Sequence, residues 1–157
     1  MFSKLLVCSD GSEHALHAAA AAAQIAARFG SEVTVLHVFH APTSLAYVAD
    51  APEFSVDLGP EANGAVQNAV ARRTGRVLEE AGVAYTIRQE IGAPAQVIVE
   101  TAERGRYDLI VLGSRGLGSF QSLLLGSVSD QVLHHAHCPV LVVRGPVSGE
   151  RRAPQPS

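Results

Sequence analysis

The chain of 157 residues carries few charges and no excess of positive ones. Charged residues make up 17% of it, the formal net charge is −3, and the isoelectric point is near 6.1. Proteins that bind nucleic acids neutralise phosphates with clustered Lys and Arg, so this balance argues against a nucleic-acid partner. We interpret the arginine pairs that begin at Arg72 and Arg151 as solvated surface residues.

Cysteines and long apolar segments are also scarce. Cys8 and Cys138 are the two cysteines, and their spacing fits neither a metal motif nor a disulfide framework. The apolar run at 5–8 is too short for a signal peptide, and the alanine-rich segment at 15–27 is interrupted by polar residues. We therefore expect a cytoplasmic protein with no structural disulfide and no membrane span.

Several common catalytic and metal-binding motifs are missing. No glycine loop ends in Gly-Lys-Ser or Gly-Lys-Thr, which disfavours a P-loop NTPase, and the glycines near 113–118 have the wrong order for a dinucleotide fingerprint. The histidines, which include His14 with His17 and His134 with His135, lack converging cysteine or carboxylate partners, so we expect no metal site. His37 lies in an apolar segment and is interpreted as a core histidine whose hydrogen bonds are satisfied.

Short apolar segments alternate along the chain with longer segments of helical spacing. With 47% hydrophobic residues the chain can bury a core, and its length suits one domain. We expect that domain to span 1–144, with a long proline-containing loop at 40–60 and a disordered tail at 145–157. The predicted strands are 4–9, 33–39, 83–91, 107–112 and 139–143, and the predicted helices lie at 12–30, 61–81, 94–105 and 127–136.

This alternation predicts an α/β fold, a doubly wound five-stranded parallel sheet with helices on both faces. If the strand order is 3-2-1-4-5, the residues after the first and fourth strands meet at the carboxyl edge of the sheet, where such folds bind ligands. Asp10 and the loop at Gly113 would then lie side by side. The last helix is expected to turn Val128, Val132 and Leu133 toward the core.

The loop after the fourth strand has a phosphate-binding character. Gly113-Ser114-Arg115-Gly116 follows the apolar run at 109–112, and Gly126-Ser127 comes after nine further residues. Glycine lets backbone N–H groups approach a phosphate closely, and the hydroxyl of Ser127 falls where a helix should begin. From local composition, a glycine-rich turn without a ligand is an equal alternative.

This loop resembles the nucleotide signature of the universal stress protein family, in which two glycines separated by two residues are followed nine residues later by Gly-Ser or Gly-Thr. The resemblance extends to the segments at 5–12 and 138–143. It implies the ATP-binding branch of that family, with Asp10 beside the nucleoside and main-chain atoms of Val38 at the adenine. The nucleotide-binding residues it implies are Cys8, Asp10, Val38, Leu112, Gly113, Arg115, Gly116, Gly126, Ser127, Val128 and Ser129.

The residues themselves leave alternatives open at two of these positions. Asp10 precedes a glycine, so it also suits a turn in which the aspartate bonds its own loop. Arg115 suits a solvent-facing side chain as well as a phosphate ligand.

The resemblance implies an ATP-binding regulatory protein of the stress response, a nucleotide-dependent dimeric switch that takes Mg²⁺ with the ATP. It also implies a homodimer formed through Val140 to Val143, an apolar strand that would otherwise be an exposed edge, and an unidentified regulatory protein partner. Two alternatives stay open. One is a slow ATPase that uses Asp10 or Asp130 as its base, and the other is an interaction module that binds no nucleotide.

Overall fold

The computed structural model describes residues 1–39, 60–115 and 125–145. The predicted loop at 40–60, the predicted tail and Gly116 therefore lie wholly or almost wholly outside the described residues. The elements are β1 (Lys4–Cys8), α1 (Glu13–Phe29), β2 (Glu32–Phe39), α2 (Pro60–Glu80), β3 (Tyr85–Ile91), α3 (Pro94–Arg104), β4 (Leu109–Gly113), α4 (Ser127–His135) and β5 (Val140–Val143).

The five strands form one parallel sheet in the order β3-β2-β1-β4-β5, which confirms the predicted fold and strand order. In the middle of the sheet Val7 pairs with Val35 on one side and with Val111 on the other. β1 and β4 are almost entirely apolar because helices cover both of their faces. The carboxyl ends of β1 and β4 are consequently neighbours.

Helix α1 is held close to the sheet by small side chains. The buried face of α1 consists of alanines, which let its backbone approach the strands. The Ser12 hydroxyl caps the helix by accepting from the Ala15 N–H at 3.2 Å, and Gly30 ends it in the left-handed conformation at φ 67°. The start and the end of α1 are both as predicted.

Two apolar cores lie on the two faces of the sheet. Alternate strand residues such as Val7 and Val35 pack with α1 and with Leu78 of α2. Leu6 and Ile110 face the other way, toward α3 and α4. Helices thus cover both faces, α1 and α2 on one and α3 and α4 on the other.

The prediction for the inner face of α4 is wrong at one position. Val132 is fully buried and Val128 is half-buried, but Leu133 is 44% exposed. Ser129 and Val132 are spaced by three residues and share the sheet-facing stripe, whereas Leu133 lies about 100° further around the helix than Val132. A single apolar stripe is enough for a helix of this length.

Both cysteine sulfurs are free; Cys8 is buried and Cys138 is half-buried. Among the helices in the described ranges, none combines the length and the hydrophobicity needed to cross a lipid bilayer.

Candidate functional site

A cavity of about 520 Å³ opens at the carboxyl ends of β1, β2 and β4, where the order of the parallel strands reverses between β1 and β4. This is the place at which doubly wound sheets bind ligands. Every predicted site residue that the structure describes lies on its wall. The wall is formed by Cys8, Ser9, Asp10, Ala15, Leu36, His37, Val38, Phe39, Pro94, Ile98, Leu112, Gly113, Arg115, Gly126, Ser127, Val128 and Ser129.

The loop between β1 and α1 is built around Asp10. The Asp10 Oδ1 atom accepts a hydrogen bond from the Ser12 N–H at 2.9 Å, a turn in which the side chain imitates a backbone carbonyl. Ser12 then caps α1, so the loop enters the helix in one fixed direction. Asp10 therefore serves its own turn, as one interpretation expected, and lies on the cavity wall as well.

Strand β2 extends beyond the end of β1 and brings main-chain atoms to the cavity. β1 ends at Cys8, opposite Leu36, and the carbonyl of Leu36 accepts from the Ser9 N–H at 3.0 Å. Because the backbone groups of residues two apart on a strand point to the same side, the N–H and C=O of Val38 also point toward the β1 side, past the end of β1. The backbone carbonyl of Phe39 points to the opposite side, toward β3, and accepts from the Gly92 N–H at 2.8 Å.

Gly113 lies directly against helix α1. A Cβ atom on Gly113 would lie 2.7 Å from the backbone carbon of His14 and 2.9 Å from its oxygen. The glycine is therefore needed for the close approach of α1 to the end of β4, whether or not a ligand binds. It was expected to serve a phosphate, and sequence analysis did not foresee this packing role.

Gly126 begins helix α4 without capping it. It has φ −70° and ψ 159°, an extended conformation open to any residue, and it offers no side-chain hydrogen bond to the helix. Its own N–H donates to the Ser114 carbonyl at 2.6 Å, which joins the two halves of the glycine loop. The N–H groups of Ser127, Val128 and Ser129 lie in the first turn, where no carbonyl of the helix can accept them.

The hydroxyls at the start of α4 differ in their availability. Ser129 is buried, and its Oγ donates to the Gly113 carbonyl at 2.6 Å, so its single proton is already used within the loop. Ser127 is exposed at the first position of the helix. The α4 terminus thus presents backbone donors and one accessible hydroxyl to the cavity, together with the positive end of the helix dipole.

Sequence comparison identifies the family. The model of the Universal stress protein family matches residues 1–144. The chain belongs to the universal stress protein family. It is 36% identical over 146 residues to a universal stress protein of Methanocaldococcus jannaschii, with 93% of this chain and 84% of that one covered. It is 34% identical over 155 residues to one of Bacillus subtilis, with 92% and 100% covered.

Solved structures agree with this assignment. A hypothetical protein solved as a structural-genomics test case superposes with a TM-score of 0.74 at 29% identity, covering 93% of this chain and 98% of that chain. A universal stress protein in complex with cAMP superposes with a TM-score of 0.67 at 27% identity, covering 92% and 98%.

Several wall residues of this universal stress protein were not predicted. Ser9 directly follows β1, and Phe39 is the last residue of β2. The rule that ligands bind at the carboxyl ends of strands would have found both. Pro94 and Ile98 come from α3, and no local signal indicated that this helix covers the cavity. His37 is a satisfied buried histidine, as predicted, because its Nδ1 bonds the Ser9 carbonyl at 2.7 Å, but its ring also lines the cavity.

Cys8 contributes apolar surface to the cavity rather than a nucleophile. Burial raises the pKa of the Cys8 thiol far above its ordinary value, with a smaller contribution from Cys138, so Cys8 stays protonated. Within the described ranges, no group of three or more His, Cys, Asp or Glu side chains is placed to hold a metal ion. The Nδ1 atom of His14 is engaged in a hydrogen bond within the chain, because it accepts from the Gly145 N–H at 2.8 Å.

Proposed function

We propose that this universal stress protein binds ATP with Mg²⁺ in the cavity and acts as a nucleotide-dependent regulatory switch. The observation that carries the proposal is the convergence of two different surfaces in one cavity. One is the uncapped N-terminus of α4, and the other is an apolar wall beside the main-chain edge of β2. The volume of about 520 Å³ falls within the range typical of small-ligand sites.

The phosphate end of the ligand fits the start of α4. An anion there receives the N–H groups of Ser127, Val128 and Ser129 and the favourable end of the dipole. Arg115 lies on the same wall and adds a positive charge. Within the described residues no side chain caps this terminus, so a bound phosphate would accept from N–H groups that have no acceptor within α4.

The base end of the ligand fits the opposite part of the cavity. Leu36, Ile98 and Leu112 give apolar contact to a flat ring. The N–H and C=O of Val38 point past the end of β1, and this donor and acceptor pair is what an adenine edge needs. The related protein solved with cAMP binds a nucleotide with the same base, which supports adenine over other bases.

Mg²⁺ fits the site as an ion that arrives with the nucleotide. Magnesium in nucleotide sites keeps several waters and binds through phosphate oxygens with one or two carboxylates. Asp10 is the carboxylate on the described wall. When bound, the ion would neutralise phosphate charge.

We also propose that β5 forms the homodimer contact. β5 pairs with β4 on one side, and all four of its residues are half-buried. The carbonyls of Pro139 and Val143 accept from β4 and Ser114, so the N–H and C=O of Val142 point to the opposite, outer edge. A second copy that pairs there would extend the sheet and cover an edge that soluble proteins normally protect.

The nucleotide content of the purified protein tests the proposal. The protein is purified without added nucleotide and denatured, and the supernatant is separated by anion-exchange chromatography. ATP, AMP, cAMP and GTP are then titrated into stripped protein by calorimetry, with and without Mg²⁺. We expect ATP to be recovered or to bind with Mg²⁺-dependent affinity. Absence of adenine-nucleotide binding would refute the proposal and favour the interaction module, whereas ADP appearing during incubation would favour the slow ATPase.

A further inference from the structure

Helix α2 is attached to the β1–α1 loop by buried and exposed polar contacts. Thr74 is fully buried, and its Oγ1 lies 2.7 Å from the Oγ of Ser9. Beside it, the Arg73 guanidinium donates to the Gly11 carbonyl at 3.2 Å and to Glu13 at 3.0 Å. Arg73 is exposed, as interpreted from the sequence, and it is also a partner of the loop that carries Asp10.

The donor in each hydrogen bond around Thr74 and Ser9 can be assigned. The hydroxyl of Thr74 donates its single proton to the Val70 carbonyl at 3.1 Å. The Ser9 hydroxyl must therefore be the donor to Thr74, because Thr74 has no second proton to give. Ser9 Oγ in turn accepts from the Gly11 N–H at 3.2 Å. The resulting chain runs from Gly11 through Ser9 and Thr74 to Val70, and each of its groups is satisfied.

Ser9 connects this chain to two parts of the cavity wall. Its carbonyl can only accept, so the 2.7 Å contact with His37 fixes the proton of that imidazole on Nδ1. Its N–H donates to Leu36 at 3.0 Å, and Asp10 follows it directly. The position of Ser9 therefore sets both the His37 ring and the start of the Asp10 turn, and both line the cavity.

We propose that Thr74 is a positioning residue of the nucleotide site. It does not lie on the cavity wall but holds Ser9, and through Ser9 it holds Asp10 and His37 in the geometry that binds nucleotide. The inference rests on the proposed function. Because coupling between the Ser9 geometry and binding is reciprocal, nucleotide binding should in turn stabilise α2 around Thr74.

Thr74→Val tests the inference because it removes the hydroxyl and keeps the shape of the side chain. We expect ATP to bind this variant about threefold to tenfold more weakly, the effect of one lost hydrogen bond. Thr74→Ser should restore wild-type affinity. Thr34→Val is the matched control: it removes a buried hydroxyl that bonds Thr86 and Tyr107 away from the cavity, so it should lower stability without changing the affinity.

The outcomes separate the two proposals. If the wild-type protein binds ATP and Thr74→Val binds it equally well, the positioning role is wrong and the proposed function stands. If the wild-type protein binds no nucleotide, both are wrong. A Thr34→Val variant that loses as much affinity as Thr74→Val would show a general effect of destabilisation and would also overturn the inference.

A double-mutant cycle tests the route through Ser9. When Ser9→Ala has already removed the donor, adding Thr74→Val should weaken ATP binding no further, and independent additive losses would contradict the route. A measurement on the wild-type protein covers the case in which Thr74→Val does not fold. Hydrogen exchange at the α2 amides around Thr74 should slow when ATP is added, and exchange that does not change would overturn the inference.

Discussion

Ser127→Asp should make the empty protein more stable and the nucleotide complex weaker. α4 begins at an exposed serine after a glycine that supplies no cap. A carboxylate in the first turn interacts favourably with the N–H groups that have no acceptor within the helix and with the positive end of the helix dipole. At an exposed position this contributes about 0.3–1 kcal/mol to the free energy of unfolding.

The same carboxylate would compete with a bound phosphate. Two unit charges 4 Å apart repel by about 4 kcal/mol at an effective dielectric constant of 20. Ser127 is exposed, so solvent and salt reduce the repulsion, and about 1–3 kcal/mol is a suitable expectation. That corresponds to a Kd for ATP about fivefold to 150-fold higher, and the loss should shrink as salt is added.

Thermal unfolding and calorimetry separate the two effects. Without nucleotide the Tm of Ser127→Asp should lie above that of the wild type, while its stabilisation by a fixed excess of ATP should fall. Ser127→Asn is the control because asparagine has nearly the same shape as aspartate but no charge. This variant should lose much less affinity for ATP. Undiminished ATP binding by Ser127→Asp would refute the placement of phosphate at the α4 terminus.

Three further predictions concern other parts of the molecule. Gly113→Ala should lower the free energy of unfolding by about 1–3 kcal/mol in urea denaturation, because its Cβ would lie 2.7 Å from the His14 backbone; a change under about 0.5 kcal/mol would contradict that contact. The raised pKa of Cys8 predicts that a thiol reagent at pH 8 labels Cys138 first and Cys8 only on unfolding, and that stability falls as the pH rises above the ordinary thiol pKa. Val142→Pro removes an outward N–H from β5 and should convert a dimer to a folded monomer in light scattering; an unchanged dimer would exclude this edge.

The fold was predictable because its signals are local. Alternating apolar and helical segments, together with the handedness of crossovers, leave few topologies, and the observed strand order is the predicted one. Errors occur at the ends of helices. Val83 and Tyr107 were assigned to strands, but their N–H groups bond the carbonyls of Leu78 and Ala102 and close the preceding helices. An apolar residue that ends a helix looks the same in sequence as one that starts a strand.

The candidate site was predictable where it follows the strands and where the glycine loop leads into α4. Asp10 and Leu112 occupy strand ends, so topology places them on the cavity wall. Ile98 and Thr74 belong to helices whose contacts with the site span long stretches of sequence. Thr74, for example, bonds a serine 65 residues away. Such contacts depend on the packing of helix against loop, for which neither spacing nor residue type gives a signal.

Gly113 and Gly126, the glycines of the loop that lie within the described residues, are not equally informative about function. Gly113 is required by the backbone of α1 in any case, so its presence does not separate a nucleotide site from a structural turn. Gly126 is different, because its backbone conformation, with φ −70° and ψ 159°, is one that serine and aspartate also adopt. Either residue would cap α4 as Ser12 caps α1, and glycine forgoes a few tenths of a kcal/mol at this position. A helix without a side-chain cap at the wall of a cavity keeps its first N–H groups available to an anion, as the proposed nucleotide site requires.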